Sequence, residues 1–496
     1  MKRIFILVMA VLVLLQGGNY MIIRTKMLTD AIYSPAPSVS GTAIRTQVND
    51  SVGEVAALIE QDITVNKKLS PAGDFTGTIN GGVPTLTEPG LSAAFNAHLL
   101  DITQLGLARY GIRHVNSTDT ITRIGSSVGK ISNISPSVND FDSIMPWAGI
   151  RRCNLADNLN VNAYYGDASY TENGSNGQVM VEVPAFYYSR VQVDADTVET
   201  YISMLPLAGY KRHPWFYDAS GFPVNKKYIS AYEGSLYDVS ALAYLLTDQQ
   251  VADFTVTTGD KLSSIAGAKP CSGLTQNLTL SMSRILANNR GTGWQQQYFN
   301  AVSAIQMLFT VEYASLNSQV TIGQGVVNIA DDALTNMSLI TGGTSSLGNK
   351  SGRATGTDGL VSVSYRGIEN FWGNIWKWVD GINIQNTNAF LCKINGSFVS
   401  DVFTGNYVQA MTLANVNGYM SKAGLNYNFD YGFLPAEVLG TSSSRYADYF
   451  YQNGVGAFVG MLGGTWANGA LVGAFFWNAN DGSTYRVRSI GARLCA

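Results

Sequence analysis

The chain has 496 residues, of which 46% are hydrophobic and 14% are charged, whereas charged residues make up ~25% of an ordinary soluble domain. Its 32 basic and 35 acidic side chains give a net charge of −3, which excludes a broadly basic surface for nucleic acid. High hydrophobicity with low net charge also argues against intrinsic disorder. The polar surface must consist mainly of Ser, Thr, Asn, Gly and Tyr. Such a composition is typical of extracellular proteins, virion proteins and proteins that bind carbohydrate or protein.

The N-terminal residues 1–20 allow two interpretations. Two basic residues and an apolar run from Ile4 to Leu15 have the form of a signal peptide and are too short to span a membrane comfortably. No small-x-small cleavage site follows this run. Residues 16–21 could instead be encoded by a bacterial ribosome-binding sequence, in which case translation begins at Met21 and the leader is a mis-called start. Neither interpretation predicts stable membrane insertion.

Residues 21–64 are predicted to form an attachment and oligomerisation segment. Its amphipathic stretch has apolar residues at spacings of 4, 3 and 4, namely Val48, Val52, Val55 and Ile59. This heptad-like seam predicts either a short three-chain coil that anchors a fibre or a helix packed on its own domain. Two heptads are too short to be stable alone. Residues 65–104 are rich in Gly, Pro and Thr and predict a linker or spacer.

From about residue 105 onward, short β-like runs alternate with turns rich in Asn, Gly and Ser. Three of these runs are predicted strands: Gln178–Val183, Ala185–Val191 and Lys227–Ala231. Apolar residues at spacings of 3 and 4 predict one long helix over Trp294–Tyr313, and a shorter helix over Ser281–Asn289 precedes it. Two helices among many short strands predict an α+β fold and not a repeated βαβ unit.

Sequence motifs for catalysis and cofactor binding are absent. The chain has no dinucleotide-binding or P-loop glycine pattern and no H-E-x-x-H. Its four cysteines are far apart, which indicates neither a zinc site nor a disulfide framework. His213 is predicted to be a structural turn residue. The acid pairs Asp140/Asp142 and Asp331/Asp332 are either solvated loop acids or incidental calcium ligands. We therefore predict no enzyme activity, no cofactor and no resident metal.

Two segments stand out by their Trp, Gly and Asn residues. Phe371–Gly381 reads FWGNIWKWVDG, and the tail Gly463–Leu494 contains GGTWANG, FFWN and SIGARL. The Gly-Gly and Asn-Gly steps permit tight turns with positive φ. The tryptophans between them are large anchors for a loop-rich core. From these residues alone, an aromatic core in an irregular domain is the simplest interpretation.

Together the two segments resemble the retroelement-diversified, C-type lectin-like receptor-binding proteins of phage tail fibres, the family of the major tropism determinant. The fold of that family is shared with formylglycine-generating enzymes, whose G-N-x-W-E-W signature is similar to Trp372–Trp378. Upstream, Asn139–Leu155 and Gly291–Gln319 look like phage structural and tail proteins. The resemblance implies a C-type lectin-like fold over residues 105–496, preceded by a small helical or β attachment segment. It also implies a variable, ligand-binding region at about residues 438–496.

The composition of that region agrees with the diversification code of the family. Positions templated by adenines cannot become Lys or Glu, and residues 438–496 contain neither. Ten aromatic residues between Gly440 and Ala496, together with Ser, Gly and Asn, resemble the chemistry of antibody paratopes. The resemblance implies a ligand-contacting set made of Tyr446, Tyr449, Tyr451, Asn468, Leu471, Phe476, Asn478, Asn480, Ser483 and Tyr485. It implies a scaffold set made of Trp372, Trp376, Trp378, Gly463, Gly464, Trp466, Gly491 and Arg493. Arg493 is expected to donate hydrogen bonds to backbone carbonyl groups.

Formylglycine-generating enzymes are the rival class with the same implied fold. They carry a close cysteine pair in the C-terminal third, whereas Cys392 and Cys495 are about a hundred residues apart in this sequence. The glutamate of the W-E-W pattern is replaced by Lys377. Both departures favour a binding protein over an enzyme.

The sequence therefore predicts a phage or prophage receptor-binding and adhesion protein with a diversifiable surface for a protein or glycan on the host cell. The N-terminal segment is expected to join other virion or tail proteins, and a homotrimer is expected. Nucleic acid is not an expected partner. The expected location is a tail or head fibre of the virion, or the cell surface if the leader is a genuine export signal. The alternative is a fixed structural virion decoration or minor tail protein without diversification.

Overall fold

The computed structural model describes residues 108–135, 137–274, 277–452 and 454–496. The predicted leader (1–20), attachment segment (21–64) and linker (65–104) lie outside the described residues. Arg109–Ala496 form one compact unit.

Short strands separated by turns make up most of the regular structure. The strands of the first part are β1 (Tyr110–Val115), β2 (Thr120–Gly125), β3 (Ser132–Asn133), β4 (Val138–Asn139), β5 (Arg151–Leu155), β6 (Val161–Tyr164), β7 (Gln178–Pro184), β8 (Tyr187–Gln192), β9 (Thr197–Ser203), β10 (Lys211–Arg212), β11 (Lys226–Ser230), β12 (Ser235–Asp238), β13 (Ala243–Leu245), β14 (Lys261–Ser263) and β15 (Gln295–Gln296). Those of the second part are β16 (Gly352–Arg353), β17 (Val363–Tyr365), β18 (Ile368–Glu369), β19 (Trp376–Gln385), β20 (Asn388–Cys392), β21 (Tyr407–Thr412), β22 (Gly418–Tyr419), β23 (Lys422–Ala423), β24 (Pro435–Glu437), β25 (Tyr449–Tyr451), β26 (Ala457–Leu462), β27 (Trp477–Asp481), β28 (Ile490–Gly491) and β29 (Leu494–Cys495).

Helices are few in the described part of the chain. The α-helices are α1 (Leu280–Asn288), α2 (Phe299–Tyr313) and α3 (Ser318–Thr321). Short 3₁₀ turns lie at Asp140–Ser143, Trp147–Gly149, Pro214–Phe216, Ser345–Leu347 and Gly469–Leu471. Within these described residues, no helix combines the length and the apolar character needed to cross a membrane.

Both predicted helices and the three predicted strands are confirmed, with shifted boundaries. Helix α1 follows Thr279, whose hydroxyl accepts a hydrogen bond from the N–H of Met282 and so caps the first turn. Helix α2 begins at Phe299 and not at Trp294, because Gln295–Gln296 pair with β29 as a strand. The predicted strands correspond to β7, β8 and β11 and differ from them by at most two residues at either end.

Three large sheets organise the fold. One has the order β10-β8-β9-β1-β2, and a second has the order β15-β29-β11-β7-β5-β6. The third has the order β21-β20-β19-β26-β27-β25-β22, with β28 also paired to β19. Neighbouring strands are antiparallel except in the pairs β19–β28 and β25–β27. Smaller sheets are β13-β12-β14, β16-β17-β18, β23-β24 and β3-β4. The second sheet therefore joins a strand from the end of the sequence to strands from its first half.

The predicted α+β, C-type lectin-like fold class is wrong. Strands account for 33% and helices for 11% of the described structure, which is mostly antiparallel β-sheet and does not show a C-type lectin-like fold. The prediction rested on two helices among many short strands, and the longer of these helices has only 15 residues. The short runs between Gly- and Asn-rich turns pair into several sheets and outweigh both helices. The Trp and Gly motifs that carried the resemblance are accounted for by their positions in the interior.

Helix α2 lies in the largest hydrophobic core and is buried along its whole length. It packs against β1, β9 and β19, so strands of two sheets surround it. A helix buried on every side exposes no polar face, and its polar side chains need partners inside the protein. The amide of Gln306 donates to the carbonyl of Ala474 at 2.7 Å, and the amide of Asn300 donates to Oδ1 of Asn395 at 2.9 Å.

The last turn of α2 carries a buried ion pair. Nε and Nη2 of Arg366 each donate to the carboxylate of Glu312 at 2.7 Å. The hydroxyl of Tyr365 donates to the same carboxylate at 2.9 Å, and the amide of Asn139 does so at 2.6 Å. The carboxylate thereby receives the full set of donors that a buried charge requires. These contacts fasten the helix to the β17–β18 turn and to β4.

We expect Arg366→Met to lower the free energy of unfolding by about 3–5 kcal/mol, because it leaves the Glu312 carboxylate buried without its counter-charge. Urea unfolding followed by fluorescence measures this change. The matched control is Arg113→Met, which breaks a half-exposed pair with Glu199 and should cost less than about 1 kcal/mol. Equal losses in the two variants would contradict the structural role of the Glu312–Arg366 pair.

Candidate functional site

All residues predicted as scaffold lie in the interior. They are Trp372, Trp376, Trp378, Gly463, Gly464, Trp466, Gly491 and Arg493. The indole N–H of Trp372 donates to the carbonyl of Gly323 at 3.1 Å. Gly463 has a φ of 93°, and a Cβ there would lie 2.9 Å from the carbonyl oxygen of Phe371. Only glycine fits this close approach between the loop before β19 and the end of β26.

Arg493 joins three segments through backbone carbonyl groups. Its Nη1 donates to Ser230 at 2.7 Å, and its Nη2 donates to Glu369 at 2.5 Å and to Asn370 at 3.2 Å. Burial lowers the pKa of this guanidinium, while the nearby carboxylates of Glu233 and Glu369 oppose that shift. The side chain thus holds the end of β11, the loop after β18 and the approach to β29 together.

A second buried pair lies beside Arg493. The ammonium of Lys377 is 3.2 Å from the carboxylate of Glu233 and donates to the carbonyl of Gly373 at 2.6 Å. The amides of Asn370 and Asn374 also donate to Glu233, at 3.2 Å and 2.7 Å. Burial lowers the pKa of Lys377 to about 8, although Glu233 favours its charged form. The lysine that departs from the W-E-W pattern is therefore a structural residue. We call Glu233, Lys377 and Arg493 the β19 hub.

Two aromatic residues that were predicted to contact a ligand, Tyr446 and Phe476, are buried. The ring of Tyr446 packs edge-on against Phe475, with 5.0 Å between ring centroids. Phe476 packs against Trp376 with a centroid separation of 4.6 Å. Both residues are at most 3% exposed, so they stabilise the core below the surface and cannot contact a ligand directly.

Two polar residues of the predicted set, Asn478 and Ser483, are also buried. The amide of Asn478 donates to Asp481 at 2.9 Å. The hydroxyl of Ser483 donates to Asp401 at 2.5 Å. Their hydrogen-bonding groups are already used to hold neighbouring loops, as is usual for buried polar groups.

Four further predicted residues are half-buried or exposed: Asn468 and Leu471 belong to one turn, Asn480 lies on β27, and Tyr485 follows that strand. Oδ1 of Asn468 accepts a hydrogen bond from the N–H of Thr465 at 2.8 Å, so this side chain closes a turn. In the described residues, no hydrogen bond or ring contact joins these four side chains to Tyr449 or Tyr451. The structure therefore does not assemble the ten predicted residues into one surface.

The remaining two predicted residues, Tyr449 and Tyr451, form a surface with a third tyrosine. Both are half-buried on β25, and their ring centroids are 5.0 Å apart. Tyr419 on the neighbouring edge strand β22 meets Tyr449 edge-on at 5.1 Å. Below them, Tyr451 contacts the buried ring of Phe476 at 5.7 Å. We call Tyr419, Tyr449 and Tyr451 the tyrosine row.

Three loops form a rim next to the tyrosine row and expose apolar side chains. Val416 is 57% exposed, Leu439 is 76% exposed and Val455 is 85% exposed. Hydrogen bonds from backbone N–H groups join these loops to the row and to each other. The N–H of Gly440 donates to the carbonyl of Tyr419 at 2.9 Å, and the N–H of Gln452 donates to the side chain of Asn417 at 2.7 Å. The result is an aromatic strip with an apolar border at the edge of the third sheet.

The tyrosine row can donate and accept hydrogen bonds at its surface. None of its three hydroxyl groups forms a hydrogen bond with a residue that the structure describes, and each ring is half-buried. Burial and the neighbouring Tyr449 raise the pKa of Tyr451, so its hydroxyl stays protonated at neutral pH. The three tyrosines of the row and the exposed side chains of Val416, Leu439 and Val455 are uncharged at neutral pH. This arrangement suits non-covalent contact with rings and hydroxyl groups.

Tyr419 was missed because the sequence reasoning confined the contact surface to residues 438–496. The segment Asn415–Tyr419 has the same Asn, Gly and Tyr composition, which could have signalled it. Its pairing with β25 joins residues about thirty positions apart, and no local pattern reports such a pairing.

His213 and the cysteines lie in the interior of the described part of the chain. His213 is fully buried, and burial lowers its pKa to about 3; its Nδ1 accepts a hydrogen bond from the N–H of Trp215. The four cysteines are buried and unpaired. In the described part of the chain, no group of three or more His, Cys, Asp or Glu residues is placed to hold a metal ion. Asp331 forms an ion pair with Arg488 at 2.7 Å.

Comparison of the sequence with models of protein families gave no match, and no curated protein matches it significantly.

We expect Tyr446→Ala to lower the free energy of unfolding by about 3–5 kcal/mol, because it empties a space in the core. Tyr449→Ala removes a half-buried ring and should cost only about 1 kcal/mol. Urea unfolding of the two variants measures both values. Similar losses would show that Tyr449 belongs to the core as fully as Tyr446 does.

We expect the free energy of unfolding to fall between about pH 8 and about pH 10. Burial raises the pKa of Cys153 and of Cys495 to about 12, so both thiols stay protonated in the folded state while they ionise in the unfolded chain. The unfolded state then binds fewer protons, and stability falls as pH rises through this range. Each thiol lowers the free energy of unfolding by about 1.4 kcal/mol when the pH is one unit above the pKa of that thiol in the unfolded chain. Urea unfolding as a function of pH measures the slope, and Cys153→Ala should flatten it. An unchanged slope in this variant would contradict the assignment.

Proposed function

We propose that the chain is a phage or prophage receptor-binding and adhesion protein, and that the tyrosine row is part of the surface that meets a host-cell ligand. The observation that carries this proposal is the set of three adjacent, half-buried tyrosine rings whose hydroxyl groups are free of described partners. Nothing in the row serves a catalytic step. The ring of Tyr451 packs on the buried Phe476, which in turn packs on Trp376, so the row rests on an ordered core.

Ordered tyrosines are favourable contact residues. A tyrosine side chain supplies a large amphipathic contact area and loses little conformational entropy on binding. Its ring packs against apolar or ring-shaped groups, while its hydroxyl forms hydrogen bonds. The surface therefore fits a protein or a glycan that presents both kinds of group. The apolar rim of Val416, Leu439 and Val455 would enlarge the contact.

Assembly would strengthen a weak single site. We propose that the segment before residue 105 attaches the protein to other virion or tail proteins and supports a homotrimer. Several copies on one particle would then raise the effective affinity through simultaneous binding. The corresponding location is a virion fibre, or the cell surface if the leader directs export.

A fixed structural or adhesive component of the virion is the second candidate, and one observation favours it over a diversified binder. Four of the ten positions predicted to vary are buried in the described structure: Tyr446, Phe476, Asn478 and Ser483. Random replacement of buried side chains destabilises a fold, so these positions would tolerate little diversification. A surface confined to Tyr449, Tyr451 and their exposed neighbours could still vary.

The test is attachment of the fluorescently labelled full chain to a panel of bacterial strains. We expect wild-type protein to bind at least one strain and Tyr449→Ala/Tyr451→Ala to reduce that binding at least about tenfold, as loss of central aromatic contacts does. Tyr449→Phe/Tyr451→Phe keeps the rings and isolates the role of the hydroxyl groups.

The matched control is Tyr427→Ala, since Tyr427 is 91% exposed and lies outside the tyrosine row. It should bind like wild type. Unchanged binding by Tyr449→Ala/Tyr451→Ala would remove the tyrosine row from the binding surface. A wild-type chain that binds none of the strains would favour the structural component.

A further inference from the structure

We propose that a cavity beneath the five-stranded sheet binds a small, halide-sized anion beside the guanidinium of Arg190. The cavity has a volume of about 20 Å³. It lies between that sheet, helix α2, strand β23 and the segment before β25. This site is separate from the tyrosine row and does not depend on the proposed adhesion function.

The pairing of three strands places the polar lining on one face of the sheet. Arg190 on β8 lies opposite Thr200 on β9, and Thr200 lies opposite Ile112 on β1. His114 follows two positions after Ile112 and therefore points to the same face. The other lining residues are Asn116, Val198, Thr310, Leu316, Lys422, Ala423, Phe433 and Tyr446. Among the described lining residues, Lys422 is half-buried and the rest are buried.

Arg190 is a buried cation without a counter-charge. It is 5% exposed, and no carboxylate in the described residues forms an ion pair with it. Its Nη1 donates to the carbonyl of Gly432 at 2.6 Å, and its guanidinium lies 4.5 Å from the ring centroid of Phe433. Its Nε–H has no hydrogen-bond partner in the structure. The nearby carboxylate of Asp430 is already bound by Tyr188 and Lys211.

The other polar groups that line the cavity can donate hydrogen bonds, and none of them is a carboxylate. His114 is 6% exposed, and its Nε2 has no hydrogen-bond partner. That nitrogen is 3.6 Å from Asp119, which faces it from the turn after β1 and lies beyond hydrogen-bond distance. The hydroxyl of Thr200 also forms no hydrogen bond with a described residue. Lys422 contributes a further positive charge near the site.

Size and charge together select the ligand class. A volume of about 20 Å³ is enough for a water molecule or a halide ion. A water molecule would satisfy the free N–H of Arg190 but would leave its charge uncompensated. Burying an unpaired charge is costly, and a bound anion removes that cost. Chloride is the abundant ion that meets both conditions.

The first experiment is a crystal structure of the full chain grown or soaked with sodium bromide, with anomalous scattering used to locate bromide. We expect a bromide peak next to Nε of Arg190. The second experiment compares thermal unfolding in sodium chloride and in sodium gluconate of equal ionic strength, because gluconate is too large for the cavity. We expect Tm to be about 1–3 °C higher in chloride.

The anion-dependent part of Tm should disappear in Arg190→Gln and persist in Arg113→Gln, which removes an exposed guanidinium from the same sheet. If Arg190→Gln does not fold, the bromide map and the chloride dependence of Tm of the wild-type chain still test whether the cavity binds an anion. A site occupied by water without an anomalous signal, or equal Tm values in the two salts, would overturn the proposal.

Discussion

The interior of this protein depends on the neutralisation of buried charge at the β19 hub. Lys377 is placed in the core only because Glu233 and the carbonyl of Gly373 receive its ammonium group. Removing either charged partner would leave the other uncompensated in a medium where isolated charges are costly. Arg493 fixes the same region by donating to carbonyl groups of two other segments. Strand β19 can then carry Trp376, on which Phe476 and the tyrosine row rest.

Local sequence patterns predicted local structure well. The 3- and 4-residue spacing of apolar side chains located α1 and α2, and runs of β-forming residues located β7, β8 and β11. They did not predict the fold class, because the sheets are made by pairing segments that are far apart in the sequence. Strand β1 pairs with β9, and β11 pairs with β29. The periodicity of a single sequence does not report which distant segments pair. Short motifs such as the Trp- and Gly-rich segments do not report it either.

For the candidate surface, too, the sequence does not predict which residues the fold brings together. On β25, Tyr449 and Tyr451 flank the buried Phe450, as expected for a strand whose side chains alternate between two faces. Composition selected both of these tyrosines, yet it selected Tyr446 equally, and only the fold places that ring in the core. Tyr419 completes the row through strand pairing that the sequence does not display. Composition therefore identified the kind of surface, while the sheet determined its members.

The pairing of β29 with β11 has a consequence for biosynthesis. Ser230 and Arg493 are 263 positions apart, and they meet only when β29 is in place. During synthesis, β11 must therefore expose an unpaired edge until residues 494–495 have been made. Open strand edges of this kind are templates for pairing with other chains. The six-stranded sheet is thus completed only after the strands of its first half have been made and folded against one another.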